Sequence, residues 1–206
     1  QLVGGVETLF KTSSDTVVGY ANDAYKTAGM SANEYMETVT SFSASLLASM
    51  NNDTAAAAEK ANVAITDMSD NANKMGTDIS LIQNAYNGFA KQNYTMLDNL
   101  KLGYGGTQEE MQRLLDDASK LSGIKYDISS YSDVVDAIHV VQTEMGITGT
   151  TAKEASTTIE GSVSSMSSAW DNWVAGMADS EANFSQLTSN LVDSIVTVVG
   201  NIAPRV

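Results

Sequence analysis

Apolar residues recur at helical spacing along most of this chain, and the alternation of apolar and polar residues that is typical of β-strands is not sustained anywhere. The longest regular stripe alternates steps of four and three residues: Ala61, Ile65, Met68, Ala72, Met75, Ile79, Ile82, Tyr86, Phe89, Asn93, Met96 and Leu100. A repeat of this kind is typical of a coiled-coil seam. It predicts one long helix over about residues 53–102, which would measure about 75 Å at about 1.5 Å per residue.

The same spacing predicts a set of shorter helices before and after the long one. They cover residues 6–28, 31–50, 107–122, 132–145, 151–177 and 184–202. Capping boxes, in which a hydroxyl is followed three residues later by a glutamate, predict the starts of three helices at Ser31, Thr107 and Thr151. Two further matches to the capping motif, at Ser80 and Thr157, fall inside predicted helices.

A glycine-rich turn follows the long helix. Gly103, Gly105 and Gly106 favour a backbone with positive φ, which other residues resist. The hydroxyl of Thr107 and the carboxylate of Glu110 are then expected to accept reciprocally from each other's backbone N–H groups. We interpret this segment as a hinge followed by a helix start.

The composition favours an all-α fold of the helical bundle or coiled-coil type. Pro204 is the only proline, whereas average usage of about 5% would give roughly ten. Because proline breaks helices, its scarcity permits long ones. The glycine turn predicts two domains: a helical hairpin with a long coiled-coil-like helix in residues 1–102, and a compact helical cluster in residues 103–206.

Three side chains in these helices are candidates for interactions, each with a simpler alternative. Asn93 is the only strongly polar member of the long stripe, where a buried asparagine can fix register and oligomer number. The alternative places Asn93 near a helix end in partial solvent. Trp170 and Trp173 lie three residues apart on one helix face, either as a core anchor or as a docking site for another chain.

Charge and residue content exclude several classes of site. The net charge is −14 and the eleven basic residues are scattered, so direct binding to nucleic acid is not expected. There is no cysteine, and the single His139 excludes a zinc site with two histidines. Residues 67–76 resemble a calcium-binding loop in composition, being rich in aspartate and asparagine, but their spacing does not fit one. We therefore expect no metal, no cofactor and no enzymatic activity.

Two stretches resemble a known family of proteins. The sequence Tyr-Gly-Gly-Thr-Gln-Glu-Glu-Met-Gln-Arg-Leu-Leu, residues 104–115, resembles a stretch of the tail tape measure proteins of long-tailed bacteriophages and prophages. Residues 146–179 resemble the region that follows it in that family, and residues 120–144 between them fit as well. The resemblance is clear over residues 98–206 and weaker toward the first residue. Since family members are longer and begin with methionine, we expect this chain to be an internal piece of one.

The resemblance implies a structural role in the virion. Tape measure proteins lie in the lumen of the tail tube, set tail length during assembly in the bacterial cytoplasm, and leave before DNA passes. The implied partners are the tail tube protein, tail-tip or baseplate proteins, tail assembly chaperones and further copies of the chain. The alternative is a helical binding module that docks tail-tip proteins, or the host membrane at ejection. Some family members carry lysozyme-like or peptidase domains, whose catalytic groups are not found here.

Overall fold

A computed structural model gives the fold of residues 2–206, which consist of α-helices joined by short turns. The α-helices are α1 (Leu2–Phe10), α2 (Ser14–Thr27), α3 (Ala32–Ser49), α4 (Thr54–Met75), α5 (Ile79–Phe89), α6 (Gln108–Ser122), α7 (Tyr131–Glu144), α8 (Thr150–Thr157), α9 (Ile159–Met177) and α10 (Phe184–Ile202). Short 3₁₀ helices cover Lys11–Ser13, Leu97–Leu100 and Ala203–Arg205. Residues 2–206 contain no strand, so the prediction of an all-α fold is confirmed.

The prediction of one continuous helix over residues 53–102 is wrong. Helix α4 ends at Met75, which gives it a length of about 33 Å. Gly76 adopts a left-handed conformation with φ of 69°, which glycine tolerates without steric cost. Asp78 then begins α5 by accepting a hydrogen bond from the N–H of Ser80 at 2.8 Å. A helix stop and a helix start therefore lie inside the stripe.

A second interruption follows at the end of α5. Residues 90–107 are non-helical except for the 3₁₀ turn at Leu97–Leu100. This segment nevertheless carries side chains that are buried: Tyr94, Leu97, Leu100, Leu102 and Tyr104. Most large members of the stripe, including Ile65, Ile82 and Phe89, are also buried. The 3.5-residue spacing thus identified positions that face the core, but not a continuous helix.

Two of the shorter predicted helices are also divided. The helix predicted for residues 6–28 is interrupted at Lys11, which has φ of 50°. The helix predicted for residues 151–177 is interrupted at Thr158, whose hydroxyl accepts from the N–H of Gly161 at 3.0 Å and begins α9. A Cβ atom on Gly161 would lie 2.4 Å from the carbonyl carbon of Glu154, so only glycine permits this close turn between α8 and α9.

The predicted capping boxes have different outcomes. The box at Ser31 is confirmed: its hydroxyl accepts from the N–H of Glu34 at 3.3 Å, and the Glu34 carboxylate accepts from the N–H of Ser31 at 2.8 Å. The box at Thr151 is not formed, because α8 begins one residue earlier at Thr150 and has no side-chain cap from its own sequence. A carboxylate from another helix, Asp70 of α4, takes that place.

The buried apolar side chains form one large cluster and one small one. The large cluster, here called the main core, runs from Val6 to Ile147 and includes residues of α1 to α7 and of the loop before α6. The small cluster consists of Tyr25, Ala169 and Leu191. The main core contains residues on both sides of the predicted boundary at residue 103, and the division into two domains stays a prediction.

Candidate functional site

The predicted hinge at residues 104–110 is a closed, hydrogen-bonded loop. The hydroxyl of Thr107 accepts from the N–H of Glu110 at 3.2 Å, as predicted. The carboxylate of Glu110 does not bond to the N–H of Thr107; it accepts instead from the N–H of Gly105 at 3.0 Å. Only the Thr107 half of the predicted capping box is therefore formed. The Glu110 carboxylate instead joins the glycine turn to α6.

Charged and aromatic groups fix this loop against α6. The guanidinium of Arg113 lies 4.3 Å from the centre of the Tyr104 ring and donates to the carbonyl of Gly103 at 2.8 Å. The Tyr104 hydroxyl donates to Asp117 at 2.8 Å. Burial and then this hydrogen bond raise the pKa of Tyr104 to about 12. The hydrogen bond from Arg113, and then the one from the loop backbone, lower the pKa of Glu110 to about 2.

The three glycines of this turn have three different roles. Gly103 has φ of 93°, in agreement with the prediction. Gly106 does not have a positive φ, but a Cβ atom there would lie 2.3 Å from the carbonyl oxygen of Thr95. Gly105 has neither property, since its Cβ would meet only Glu110 at an ordinary 3.6 Å. The prediction of positive φ is thus correct at one position and wrong at two.

Asn93 lies outside any helix, in the turn that follows α5. Its side chain is exposed, and its amide oxygen accepts from the N–H and hydroxyl of Thr95 at 3.1 and 2.7 Å. Such a bond pattern stabilises a local turn. The role of Asn93 in fixing the register of a coiled coil has no support, because the helix that would carry it ends at Phe89.

The tryptophan pair lies at the surface of α9. The rings of Trp170 and Trp173 stack with centres 5.4 Å apart, and Trp170 is 52% exposed. Trp173 is half-buried; its ring lies 5.3 Å from Phe184, and its Nε1 donates to the Thr188 hydroxyl at 3.1 Å. Trp173 therefore anchors α10 to α9, whereas the core-anchor interpretation is wrong for Trp170.

The two C-terminal helices expose many large apolar side chains. These side chains, here called the α9–α10 surface, are 37–63% exposed: Val163, Trp170, Val174, Met177, Phe184, Val192, Ile195, Val196, Val199 and Ile202. Their helical spacing is part of the pattern that predicted helices over residues 151–177 and 184–202. Residues three, four or seven apart lie on the same side of a helix. On α10 the exposed residues Val192, Ile195, Val196 and Val199 therefore form one side, next to the side that carries the buried Leu191 and Val198.

The face that α9 does bury is made of small and polar residues. Its buried members are Ser162, Ser165, Ser168, Ala169, Asn172 and Gly176. Asn172 accepts from the N–H of Ala32 at 2.7 Å, and Ser168 donates to the carbonyl of Gly29 at 3.3 Å. Helix α9 is thus attached to the turn between α2 and α3 by hydrogen bonds, which leaves its large apolar side chains free on another side.

A polar layer, which the apolar pattern did not predict, lies between α4 and α7; the His139 side chain is 37% exposed and the other members are buried. It consists of Asp67, Asp70, Asn71, His139 and Gln142. The Asn71 amide donates to Gln142 at 2.7 Å, and the Gln142 amide donates to the carbonyl of Asp67 at 3.1 Å. Asp70 is fully buried and accepts from two N–H groups at the start of α8, at 2.7 and 2.9 Å. The layer thus joins three helices by hydrogen bonds.

The only histidine belongs to this layer. The Nδ1 atom of His139 lies 2.9 Å from a carboxylate oxygen of Asp67, which is 1% exposed. The hydrogen bond to Asp67 raises the pKa of His139. Burial raises the pKa of Asp67, against the lowering effect of His139. Within residues 2–206 the His139 side chain has no other hydrogen-bonding partner, and the pair connects α4 to α7.

The described residues form neither a metal-binding group nor a membrane-spanning helix. Within residues 2–206, no three histidine or acidic side chains come together in a group that could hold a metal ion. None of the helices described is both long enough and apolar enough to cross a bilayer. Trp170 and its apolar neighbours on α9 and α10 are large apolar side chains that the main core does not bury.

Comparison with known proteins adds nothing to this geometry. No protein-family model, no curated protein and no solved structure matches the chain.

Proposed function

We propose that this chain is a structural segment of a phage tail tape measure protein and that it docks another protein through the α9–α10 surface. The family assignment is supported by the resemblance of residues 104–115 and 146–179. The docking role is carried by one observation: α9 buries serines and glycine and exposes Trp170, Val174 and Met177. Burial of apolar surface of this kind against a partner is favourable, because it removes that surface from water.

The size of this gain favours an interface. Complete burial of a valine, leucine, isoleucine or methionine side chain stabilises by about 1.5–3 kcal/mol, and these side chains are roughly half exposed. Burial of the remaining exposed part of each side chain would therefore stabilise a complex by on the order of 1 kcal/mol. Trp170 adds a large rigid ring of the type that is enriched among interface residues with the greatest effect on binding.

The charges beside this surface favour a protein over a membrane. No lysine or arginine occurs between Lys153 and Arg205, while Glu160, Asp171 and Asp193 lie on the two helices. Binding to an anionic lipid surface is normally assisted by basic residues beside the apolar face. The partners that the resemblance implies, which are tail tube and tail-tip proteins, assembly chaperones and further copies, need no such charges.

Only the resemblance to tape measure proteins supports the proposal that this chain helps to set tail length. A ruler that converts residue number into distance at about 1.5 Å per residue requires an extended helix, and α4 provides about 33 Å of one. The acidic chain is suited to leaving the tube ahead of DNA, because it carries negative charge like DNA, and charges of the same sign repel each other.

The docking role is tested by binding of the purified tail tube and tail-tip proteins encoded with this chain. We expect Trp170→Ala combined with Val196→Ser to abolish binding while the circular dichroism spectrum stays unchanged. The matched control is Gln186→Ala with Ser189→Ala, two exposed polar positions on the same hairpin. Equal binding by both double variants would refute docking through this surface.

The family assignment has a separate test. Mass spectrometry of purified tails, before and after DNA ejection, is expected to find peptides of this chain before ejection and not after it. Tails that never contain these peptides would exclude the assignment.

A further inference from the structure

The short connection between α4 and α5 has the features of a hinge. Helix α4 ends at Met75 and α5 begins at Ile79, so only Gly76, Thr77 and Asp78 join them. Gly76 is exposed and has φ of 69°, and a Cβ atom added to it would have no other part of the chain within 4 Å. The bend therefore depends on the backbone of one glycine and not on packing around that glycine.

The apolar stripe passes through this bend without a change of phase. Ala72, Met75, Ile79 and Ile82 follow one another at steps of three, four and three residues, and none of them is exposed. On one unbroken helix, side chains at these steps lie on the same side. Two separate helices that meet at a turn need no common phase. The sequence is therefore compatible with a straight form of α4 and α5 as well as with the bent form.

The bent form also leaves groups at the junction that a straight helix would pair. The hydroxyl of Thr77 is buried and has no hydrogen-bonding partner among residues 2–206. In a continuous helix a threonine hydroxyl can donate to the carbonyl four residues earlier, which here belongs to Asn73. The last carbonyls of α4 would likewise accept from the N–H groups of the residues that now form the bend.

The parts of the chain on the two sides of the bend are joined by specific hydrogen bonds. Asp70 accepts from two N–H groups at the start of α8, and Asn172 accepts from the N–H of Ala32. A second copy of the chain offers the same donors and acceptors in the same arrangement. Two copies can therefore exchange residues 79–206 and form between chains the bonds that one copy forms between residues 2–75 and 79–206.

We propose that residues 76–78 are a hinge, and that two copies of this chain exchange residues 79–206 when the hinge straightens into one helix. In the exchanged dimer this helix covers residues 54–89, which gives about 54 Å at about 1.5 Å per residue. The dimer keeps the packing of the single copy and differs from it at the hinge, so its formation requires no new surface. The exchange does not depend on the proposed docking, because the whole α9–α10 surface lies within the exchanged part.

The first test changes the conformational preference of the hinge. Alanine resists a positive φ and favours a helix, and both effects apply to each of the two copies. After refolding from urea at high protein concentration, Gly76→Ala should therefore raise the dimerisation constant by at least about tenfold. Size-exclusion chromatography with light scattering measures the dimer, and circular dichroism checks that the variant is folded.

The matched control for this test is Gly123→Ala at the end of α6. Gly123 also has a positive φ, of 74°, and open space around it. It is followed by the non-helical residues 124–130, so loss of its left-handed turn does not connect two helices in phase. We expect Gly123→Ala to form no more dimer than the unmodified protein. Equal dimerisation by the two variants, or no dimer in Gly76→Ala, would overturn the proposal.

The second test distinguishes exchange from association through another surface. The chain has no cysteine, and the Ser41 hydroxyl donates to the side-chain oxygen of Asn87 at 3.1 Å across the hinge. In the Gly76→Ala background, Ser41→Cys with Asn87→Cys places one thiol before the hinge and one after it. A short bis-maleimide should then join the two chains of an isolated dimer, and a denaturing gel should show twice the mass of one chain. Cross-links that stay within single chains would rule out exchange and assign the dimer to a different surface.

Discussion

The main core and the α9–α10 hairpin contain similar apolar side chains at the same helical spacing, yet they orient them differently. In α3 and α5, the large residues Phe42, Leu46 and Tyr86 are buried. In α9 and α10, Trp170 and Val196 face solvent, and serines face the body of the protein. The same pattern therefore stabilises the fold in one region and remains available to a partner in the other.

This difference also appears in how the two regions are held. The main core is joined across helices by apolar contacts and by buried hydrogen bonds such as the one from Tyr131 to the carbonyl of Tyr86 at 3.0 Å. The hairpin is joined to the body through hydrogen bonds of Asn172 and Ser168 and through a small cluster around Ala169. We expect the hairpin to open at a lower free energy than the main core.

The largest expected effect comes from truncating one large side chain in each region. Phe42 is 2% exposed and packs edge-on against Tyr131, so Phe42→Ala should lower the free energy of unfolding by about 3–5 kcal/mol. Trp170→Ala, at a position that is 52% exposed, should lower it by less than about 1 kcal/mol. Urea denaturation measures both. Similar losses would show that the hairpin is as well packed as the main core.

The second effect concerns the pair in the polar layer that joins half-buried His139 to buried Asp67. His139→Ala leaves the carboxylate of Asp67 buried without a donor, and should lower the free energy of unfolding by about 1.5–3 kcal/mol. The loss should be measured by urea denaturation near neutral pH. His139→Gln, whose amide can still donate, is the matched control and should cost less. Equal losses would show that the hydrogen bond to Asp67 is not the main contribution of His139.

The same pair predicts a pH dependence of the main core. The pKa of His139 is raised in the folded state, so its contribution is complete below about pH 6.5 and is lost as pH rises through the folded value. The raised pKa of Asp67 acts in the same direction, because the folded state releases that proton at a higher pH. Urea midpoints measured across neutral pH should fall as pH rises, and the slope should be smaller in His139→Gln. A flat profile in the unmodified protein would contradict the assignment.

The third effect distinguishes two neighbouring glycines of the loop that closes the main core. Gly106→Ala places a Cβ atom 2.3 Å from the carbonyl oxygen of Thr95, and should destabilise by about 1–3 kcal/mol. In Gly105→Ala the added Cβ atom lies 3.6 Å from the Glu110 side chain, an ordinary contact distance, so stability should change little. Thermal unfolding of the two variants compares them directly. A greater loss at Gly105 would mean that the loop geometry described above is incorrect.

The smallest expected effect on stability lies on the hairpin. Val196 is 63% exposed, so Val196→Ser should change the free energy of unfolding by no more than about 0.5 kcal/mol. Light scattering at high protein concentration should show less self-association in this variant, because the exposed apolar area is smaller. Val198→Ser, at a neighbouring position that is 8% exposed, provides the destabilising counterpart.

Local sequence signals, which involve neighbouring residues only, predicted the structure correctly at some positions and wrongly at others. The capping box at Ser31 and Glu34, the left-handed Gly103 and the helical class of the chain follow from residue types at short spacing. The stripe from Ala61 to Leu100 also marked mostly core positions correctly. It could not show that the helix stops at Gly76, because one glycine inside a helical pattern is compatible with both outcomes.

The candidate sites depended on contacts between distant residues and were only partly visible. Trp170 and Trp173 were identified from their types, but their exposure was not. Asp67 and Asn71 stand out as polar residues inside a helix, yet their partners, His139 and Gln142, lie about seventy residues away.

Sequence alone therefore determined that this chain is helical, where several of its helices begin, and which residues are apolar enough to be buried. Tertiary structure decided which of those residues are buried in fact. Helical spacing defines a face but not its neighbour, and burial depends on what packs against that face. In α9 the hydrogen bonds of Asn172 and Ser168 turn the serine face inward, and this contact with a distant turn is what leaves Trp170 at the surface.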